Sequence, residues 1–596
     1  MRGDQRQNAS RDWLRAMQAT AHATARKSRT LACVLDERAM THGDRTALIS
    51  RDQTLTYRQL AERVNRYARF AIENGLCNGG CAALLMPNSP DYIAAWAGIT
   101  ATGGIAALIN TNLRGKSLAH AIGITQARSV IVSASLLDAY LSALPHLGTA
   151  PTLLVNGSHD GTVGPERSIE QELARFDGSP ISDAERHGVT LSDRALYIFT
   201  SGTTGLPKAA NVSHGRIIEW STWFSGLMNT QSSDRMYDCL PMYHSVGGVV
   251  APGSVLVSGG SVVIRERFSA TQFWNDIAEH DCTLFQYIGD LCRYLLASAT
   301  CPAEAEHSLR VCCGNGLRGD IWEQFQSRFR IPRILEFYAA TEGSFSLYNV
   351  EGKPGAIGRL TGMMARKPPL QIVKFDPNTG LPARGSDGLC VRCADDEPGE
   401  ALGALPDGGE GSRFEGYTSS EESERKIVRD VMVHGDRWFR SGDLMSRDSA
   451  GFFYFVDRVG DTFRWKGENV STLEVANALA SYPGIVNATV YGVEILGHDG
   501  RAGMAAIETD GDIDGVALYG HLSNLLPSYA RPVFIRIVEA IEATETFKPK
   551  KQLLIAEGFD PAIVTDRLFF ADNVAKSYVP LTAEGLAKLT NSRAAA

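Results

Sequence analysis

The sequence predicts an α/β protein: a large N-terminal part made of helix-covered sheets, then a smaller C-terminal α+β part. Three observations point there. Between residues 31 and 191 helix-like and strand-like pieces alternate, the signature of a parallel sheet covered by helices. At 596 residues, 44% hydrophobic and 21% charged, the chain has ordinary globular composition and length for roughly two to four domains. Beyond Thr472, strand-like runs at 486–491 and 502–507 and a helix-like run at 516–525 form a second, shorter group.

Residues 1–30 read as an N-terminal extension without the apolar stretch of a signal peptide. Arg, Ala, Ser and Thr dominate it. A transit-like leader and an amphipathic surface helix around Trp13, Leu14 and Met17 both fit. Leu55-Thr56-Tyr57 opens a helix with Leu60, Val64 and Tyr67 at helical spacing. Residues 81–86 and 105–109 read as strands. The charge-free stretch 93–113 is long enough to span a bilayer. Gly103-Gly104 at its middle make it instead a buried helix, a turn and a short strand. Residues 247–264, broken by Pro252, Gly253, Gly259 and Gly260, read the same way. Residues 157–192 are polar and form a loop-rich connection.

A net charge of -8 argues against a nucleic-acid partner. The 11 cysteines are an odd number spread along the chain, which fits free thiols in a reducing compartment better than a disulfide framework. Cys390-Val391-Arg392-Cys393 has no second pair and reads as strand rather than zinc site.

The chemistry centres on residues 197–214, YIFTSGTTGLPKAANVSH. Tyr197, Ile198 and Phe199 form a buried strand. Thr200-Ser201-Gly202-Thr203-Thr204-Gly205-Leu206-Pro207-Lys208 then form a loop. Its glycines let the backbone approach a ligand closely. Its hydroxyls and amides can face anionic oxygens, and Lys208 adds a point charge suited to phosphate. This is a phosphate-gripping loop, but not the Walker loop, because Ala209 follows Lys208 where Ser or Thr is required.

Further along, 283–296 is apolar core. Leu309 to Cys312 reads as a short strand, and Cys313-Gly314-Asn315-Gly316-Leu317-Arg318 as a turn open to a flat ring. In Glu336-Phe337-Tyr338-Ala339-Ala340-Thr341-Glu342-Gly343, Tyr338 offers a π-face and Glu342 a hard oxygen ligand for Mg²⁺. Asp443, in Ser441-Gly442-Asp443-Leu444, reads as an acid on a turn after a strand, able to accept two hydroxyls. By charge alone, Lys548, Lys550 and Lys551 form a solvated basic patch.

The loop and these motifs, in this order, resemble the adenylate-forming superfamily of acyl-CoA synthetases, peptide-synthetase adenylation domains and luciferases. Ala209-Ala210, the 103–120 string GGIAALINTNLRGKSLAH, the run around Tyr287 and residues 455–470 resemble its fatty acid transport protein/very-long-chain acyl-CoA synthetase branch. The resemblance covers nearly everything beyond residue 30. It implies a large adenylate-forming domain at 31–459 and a small mobile C-terminal domain at 460–596, hinged at Gly460 or Asp461.

The resemblance also implies roles. Thr200, Ser201, Gly202, Thr203, Thr204, Gly205 and Lys208 hold the ATP phosphates. Gly314, Asn315, Gly316 and Tyr338 hold adenine, and the 287–296 region borders the acyl tunnel. Thr341 meets the α-phosphate; Glu342, with Thr200, binds magnesium. Asp443 takes the ribose, and Arg458 the ribose or phosphate. His244 sits near the carboxylate substrate, and Lys548 bridges the reacting oxygens. Gly467 lines the pantetheine channel for coenzyme A. Amino-acid-activating relatives place an Asp near His244; here Ser245 and Val246 follow it with no acid, which favours an acid lacking an amino group. The implied activity is an ATP-dependent long- or very-long-chain fatty acid–CoA ligase that releases AMP and pyrophosphate. The alternatives are a ligase for a sterol side-chain or bile-acid-like carboxylate, and a fatty acid uptake protein working by vectorial acylation. Expected partners are an apolar carboxylic acid, ATP and coenzyme A, with peripheral membrane contact and a homodimer. The expected location is the cytoplasm or the inner face of a membrane.

Overall fold

The computed structural model describes residues 2–158, 167–200, 206–360, 370–376, 379–405, 414–466, 468–495, 500–544 and 549–582. The chain divides into two compact units, Met1–Gly358 with Leu405–Ile427, and Arg359–Ala404 with Val428–Ala596. The boundary expected at 459/460 falls inside the second unit.

Among its described residues the first unit holds two sheets. Helix α1 (Arg2–Thr24) is followed by β1 (Thr46–Ile49) and β2 (Thr54–Thr56), at one edge of an eight-stranded sheet. Helix α2 (Tyr57–Glu73) starts at once, because Thr56 and Gln59 cap each other's backbone amides. The chain then builds a second sheet through β3 (Cys81–Leu85), helix α3 (Pro90–Ala101), β4 (Ile105–Leu108), helix α4 (Gly115–Ile124), β5 (Ser129–Ser133), β6 (Thr152–Asn156), β7 (Arg167–Ser168), β8 (Arg194–Thr200) and β9 (Lys208–Ser213). Its order is β7-β6-β5-β3-β4-β8-β9, parallel throughout except for the β8–β9 pair. Every residue of β3, α3 and β4 is buried. A strand covered on both faces loses its polar alternation, which is why 93–113 resembled a membrane span. It is most of α3, a turn at Gly103 and β4.

Helix α5 (His214–Met228) returns the chain to the first sheet. There follow β10 (Arg235–Asp238), β11 (Ser261–Ile264), β12 (Leu284–Ile288), helix α6 (Gly289–Ala297), β13 (Val311–Asn315), β14 (Ile334–Ala339) and β15 (Ser346–Asn349). The order is β15-β14-β13-β12-β10-β11-β1-β2. Between β10 and β11, residues 246–256 coil as a π-turn and a short helix. Among the described residues no helix is long and apolar enough to cross a membrane.

The C-terminal end of α5 shows how charge fixes the core. A helix leaves its last carbonyls without internal partners. Arg15 of α1 donates to Gly226 O (2.7 Å), and Arg310 donates to Met228 O (2.8 Å) and Asn229 O (3.1 Å). Asp234 holds Arg310 at 2.6 Å, and Asp12 holds Arg333 at 2.6 Å. These cations also complement the negative end of the helix dipole. They line a cavity of about 550 Å³, and Arg15 and Arg310 are committed to capping the helix there. Trp13 packs against Trp223 and Tyr348 with both centroid distances 5.6 Å, which ties α1 down.

Among the described residues of the second unit are two separate apolar cores. One contains Val373, Cys390, Leu402, Val431 and Trp438. It lies on a sheet that includes β16 (Leu370–Val373), β17 (Gly399–Leu405), β18 (Arg437–Arg447) and β19 (Phe452–Arg458), in the order β19-β18-β17-β16. The other core runs from Phe463 to Leu581. It packs helix α7 (Thr472–Ala480) on the five-stranded sheet formed by β20 (Ile485–Val493), β21 (Ala502–Thr509), β22 (Phe534–Ile537), β23 (Arg567–Asp572) and β24 (Ser577–Pro580). Asp457, buried at the end of β19, ties the two parts of the unit together. Its carboxylate accepts from Thr472 N (2.5 Å), Thr472 Oγ1 (3.0 Å), Leu473 N (3.3 Å) and Ser471 Oγ (3.3 Å) at the start of α7. All 11 cysteines are free thiols.

Candidate active site

Strand β8 ends at Thr200 and β9 begins at Lys208, and these two residues are register partners of the antiparallel pair. These two residues therefore stand side by side at the end of the paired strands, with β8 buried behind them. Ser201, Gly202, Thr203, Thr204 and Gly205 lie outside the described residues. Lys208 forms an ion pair with Glu422, and its ammonium lies 5.9 Å from the centre of the Tyr417 ring. The Lys208 cation holds the Glu422 carboxyl below its ordinary pKa. Tyr417 in turn donates to Glu342 Oε1 at 2.7 Å. Burial, then the Glu342 charge, pushes the Tyr417 phenol well above its usual pKa, so it remains a donor.

Tyr417 and Glu422 reach this place because the segment around 416–418 runs beside β9. Asn211 N donates to Gly416 O (2.9 Å) and Thr418 N to Ala209 O (3.0 Å). Asn211 Nδ2 adds bonds to Glu415 O (2.9 Å) and Tyr417 O (3.1 Å). Glu415 caps Ser213 N at 2.6 Å, at the start of α5. No motif marked Tyr417 or Glu422. The only local hint is Gly416 followed by an aromatic and a Ser/Glu-rich turn.

Thr341 and Glu342 follow β14. The Thr341 hydroxyl lies 3.1 Å from that of Ser245, which places the 240–246 segment beside the Thr-Glu motif. His244 sits in a turn closed by its N–H to Pro241 O (3.1 Å), with its ring 4.6 Å from that of Tyr243. The π-turn Val246–Val250 follows directly. Such turns are frequent at functional sites. Tyr338 stacks on Phe345 at 5.7 Å and 25°.

Two expectations about local structure need correction. Gly314 and Asn315 belong to β13, because β12 and β14 pair with that strand on both sides; the turn starts at Gly316, where φ is 84°. Asp443 lies inside β18, not on a turn. Gly442, at φ 77°, kinks the strand, and pairing with β19 continues through an irregularity just beyond it. Asp443 faces Arg458 across the pair, with Arg458 Nε 3.8 Å from Asp443 Oδ1. Gly467 and Lys548 lie outside the described residues. Of the neighbouring lysines, Lys550 lies 3.4 Å from Glu542, and Lys551 lies 3.4 Å from Asp461 and 3.2 Å from Thr472 Oγ1.

Among the described residues, buried polar atoms near these motifs, Asn315 Oδ1 and Ser344 Oγ among them, have no hydrogen-bond partner. Buried polar groups are normally bonded, so they fit a polar ligand. The oxygen donors expected for Mg²⁺ also fit: Glu342 accepts from Tyr417 through Oε1, and a carboxylate has further lone pairs. A second acidic group, Asp276, Glu279 and His280, has ligand spacing. Arg265 already occupies it, donating to both Asp276 oxygens at 2.8 and 2.9 Å and lying 2.8 Å from His280 Nε2.

The family model described as AMP-binding enzyme matches residues 35–400, and that of the AMP-binding enzyme C-terminal domain matches residues 474–548. The chain is 38% identical over 561 residues to the long-chain fatty acid transport protein 1 of Mus musculus, spanning 93% of this chain and 86% of that protein. It is also 38% identical over 564 residues to the medium/long-chain-fatty-acid–CoA ligase FadD6 of Mycobacterium tuberculosis, spanning 93% and 90%. Its fold is similar to that of the anthranilate CoA ligase AuaEII in complex with anthranoyl-AMP, with TM-score 0.74, 21% identity, and 88% and 96% of the two chains covered. The chain belongs to the adenylate-forming AMP-binding enzyme family, in the branch of the fatty acid transport proteins and very-long-chain acyl-CoA synthetases.

Proposed function

We propose that the chain is an ATP-dependent long- or very-long-chain fatty acid–CoA ligase. The enzyme is an AMP-forming acid–thiol ligase. A carboxylate is a poor target for a thiol, because oxide would have to leave. The carboxylate oxygen instead attacks the α-phosphorus of ATP, pyrophosphate departs, and the acyl group carries AMP. The sulfur of coenzyme A then attacks the acyl carbon and AMP departs.

The observation that carries this reading is the bridge made by Tyr417. It joins the lysine of the phosphate loop to the glutamate of the Thr-Glu motif. Lys208 exchanges its Glu422 partner for the departing phosphates. Glu342, with Thr200, would hold magnesium, which supplies charge neutralisation at the phosphate oxygens. Thr341 donates its hydroxyl to the α-phosphate. Tyr338 and the residues 314–316 receive adenine. Asp443 takes the ribose hydroxyls, with Arg458 beside it, and His244 lies at the acid's carboxylate. Lys548 neutralises the reacting oxygens during adenylation. Rotation of residues 460–596 about Gly460 or Asp461 then brings Gly467 to the pantetheine channel. The protein's contribution is positioning and preorganised charge.

Replacing Tyr417 by phenylalanine keeps the ring under Lys208 and removes the bond to Glu342. The Mg²⁺ concentration giving half-maximal ATP–pyrophosphate exchange should rise about fivefold, the equivalent of one hydrogen bond. An unchanged Mg²⁺ dependence would remove Tyr417 from this role.

A panel of carboxylic acids tests the substrate. Long and very-long unbranched acids should support coenzyme A-dependent AMP release, and aromatic or short acids should not. Preferential turnover of sterol-like acids would replace the fatty-acid assignment.

A further inference from the structure

Strands β12, β13 and β14 lie side by side, and one row across them reads Tyr287, Gly314, Glu336. Tyr287 and Glu336 are both buried, at 0% and 1% exposure. The Tyr287 hydroxyl crosses over Gly314 to donate to Glu336 Oε2. A Cβ on Gly314 would lie 2.4 Å from the Tyr287 ring and 2.3 Å from its carbonyl oxygen. Only glycine leaves room for this crossing. The other carboxylate oxygen, Oε1, accepts from Gly316 N and from Leu317 N at 3.1 Å. Those amides belong to the turn that follows β13. One oxygen of a buried acid thus holds the turn while the other is anchored by Tyr287.

We propose that Glu336, held by Tyr287, is the positioning residue of the nucleotide-base turn, fixing Gly316 and Leu317 so that the turn is preformed for adenine. The inference rests on the reading of this unit as an ATP-using ligase. It assigns Glu336 no contact with substrate; the residue acts through the backbone of the turn.

The surroundings make this strut sensitive to pH. Burial pushes the Glu336 carboxyl up to about 8, opposed by the bonds from Tyr287, Gly316 and Leu317. The titratable groups facing it are Tyr287 from β12, Cys292 from α6 and Cys313 from β13. From β15 it pairs with Asn349, which is neutral and bonded to Lys353 O and Ala356 O. The carboxylate is the stronger acceptor, so the turn tightens as pH rises through the carboxyl's pKa.

The test is ATP–pyrophosphate exchange on the full chain. Glu336→Ala should raise the KM for ATP roughly 30-fold, as expected for two or three lost bonds. It should leave the KM for the acid unchanged and erase the preference for ATP over inosine triphosphate. Tyr287→Phe should raise the KM for ATP about fivefold. Glu336→Gln, which can still accept from the two amides, should restore most of the affinity. It should also remove the decline in the wild-type KM for ATP as pH rises through about 8. If Glu336→Ala fails to fold, Tyr287→Phe and Glu336→Gln still decide the matter. An ATP KM and base preference unaltered in both would overturn the inference, as would a pH dependence that persists in Glu336→Gln. Failure of the wild-type chain to exchange pyrophosphate with any acid would instead overturn the ligase reading.

Discussion

Lys548→Ala should lose acyl-adenylate formation by about a thousandfold or more while retaining thioester formation from supplied acyl-adenylate. The magnitude is that of removing one preorganised charge from a developing transition state. In the proposed adenylation step, negative charge gathers on the oxygens between acid and phosphorus, and the Lys548 ammonium would neutralise it. In the second half-reaction AMP is already the leaving group, and this contribution is no longer needed. Lys550 and Lys551 provide the contrast, because they are engaged with Glu542 and Asp461. Lys550→Ala should keep both half-reactions. Equal loss of both half-reactions in Lys548→Ala would mean that the lysine serves the fold or general nucleotide binding rather than the adenylation step.

Glu342→Gln should lower the adenylation rate by about a hundredfold to a thousandfold and raise the Mg²⁺ requirement. The amide oxygen can still accept from Tyr417, so the link to Lys208 persists and folding is retained. What disappears is the anionic oxygen, and Mg²⁺ strongly favours carboxylates and phosphates over neutral amides. Rates should partly recover at high Mg²⁺. A variant with wild-type Mg²⁺ dependence and rate would place the metal ligand elsewhere.

How much of this was legible differs from residue to residue. The strand before the loop could be read because Tyr197, Ile198 and Phe199 are buried together in a parallel sheet, which leaves a continuous apolar run. The helix, turn and strand of 93–113 could be read because Gly103 punctuates the run. Motifs local in sequence, such as Thr341-Glu342, likewise announced themselves. Tyr417 and Glu422 did not. Their position depends on backbone bonds between 416–418 and β9, about two hundred residues away in the chain. Asp443 looked like a turn residue because Gly442 precedes it, yet the pairing with β19 carries the strand through the kink. The Tyr287–Glu336 strut was hidden for the same reason: three strands must align before Gly314 is seen as the space between two side chains.

Activation of the acid as an acyl-adenylate sends one carboxylate oxygen away with the phosphorus, so the fate of oxygen reports it. A long-chain fatty acid enriched in heavy oxygen at its carboxylate is turned over with ATP and coenzyme A, and the products are weighed. One labelled oxygen should appear in AMP and none in pyrophosphate. Label in pyrophosphate or free phosphate, or none in AMP, would exclude an acyl-adenylate intermediate.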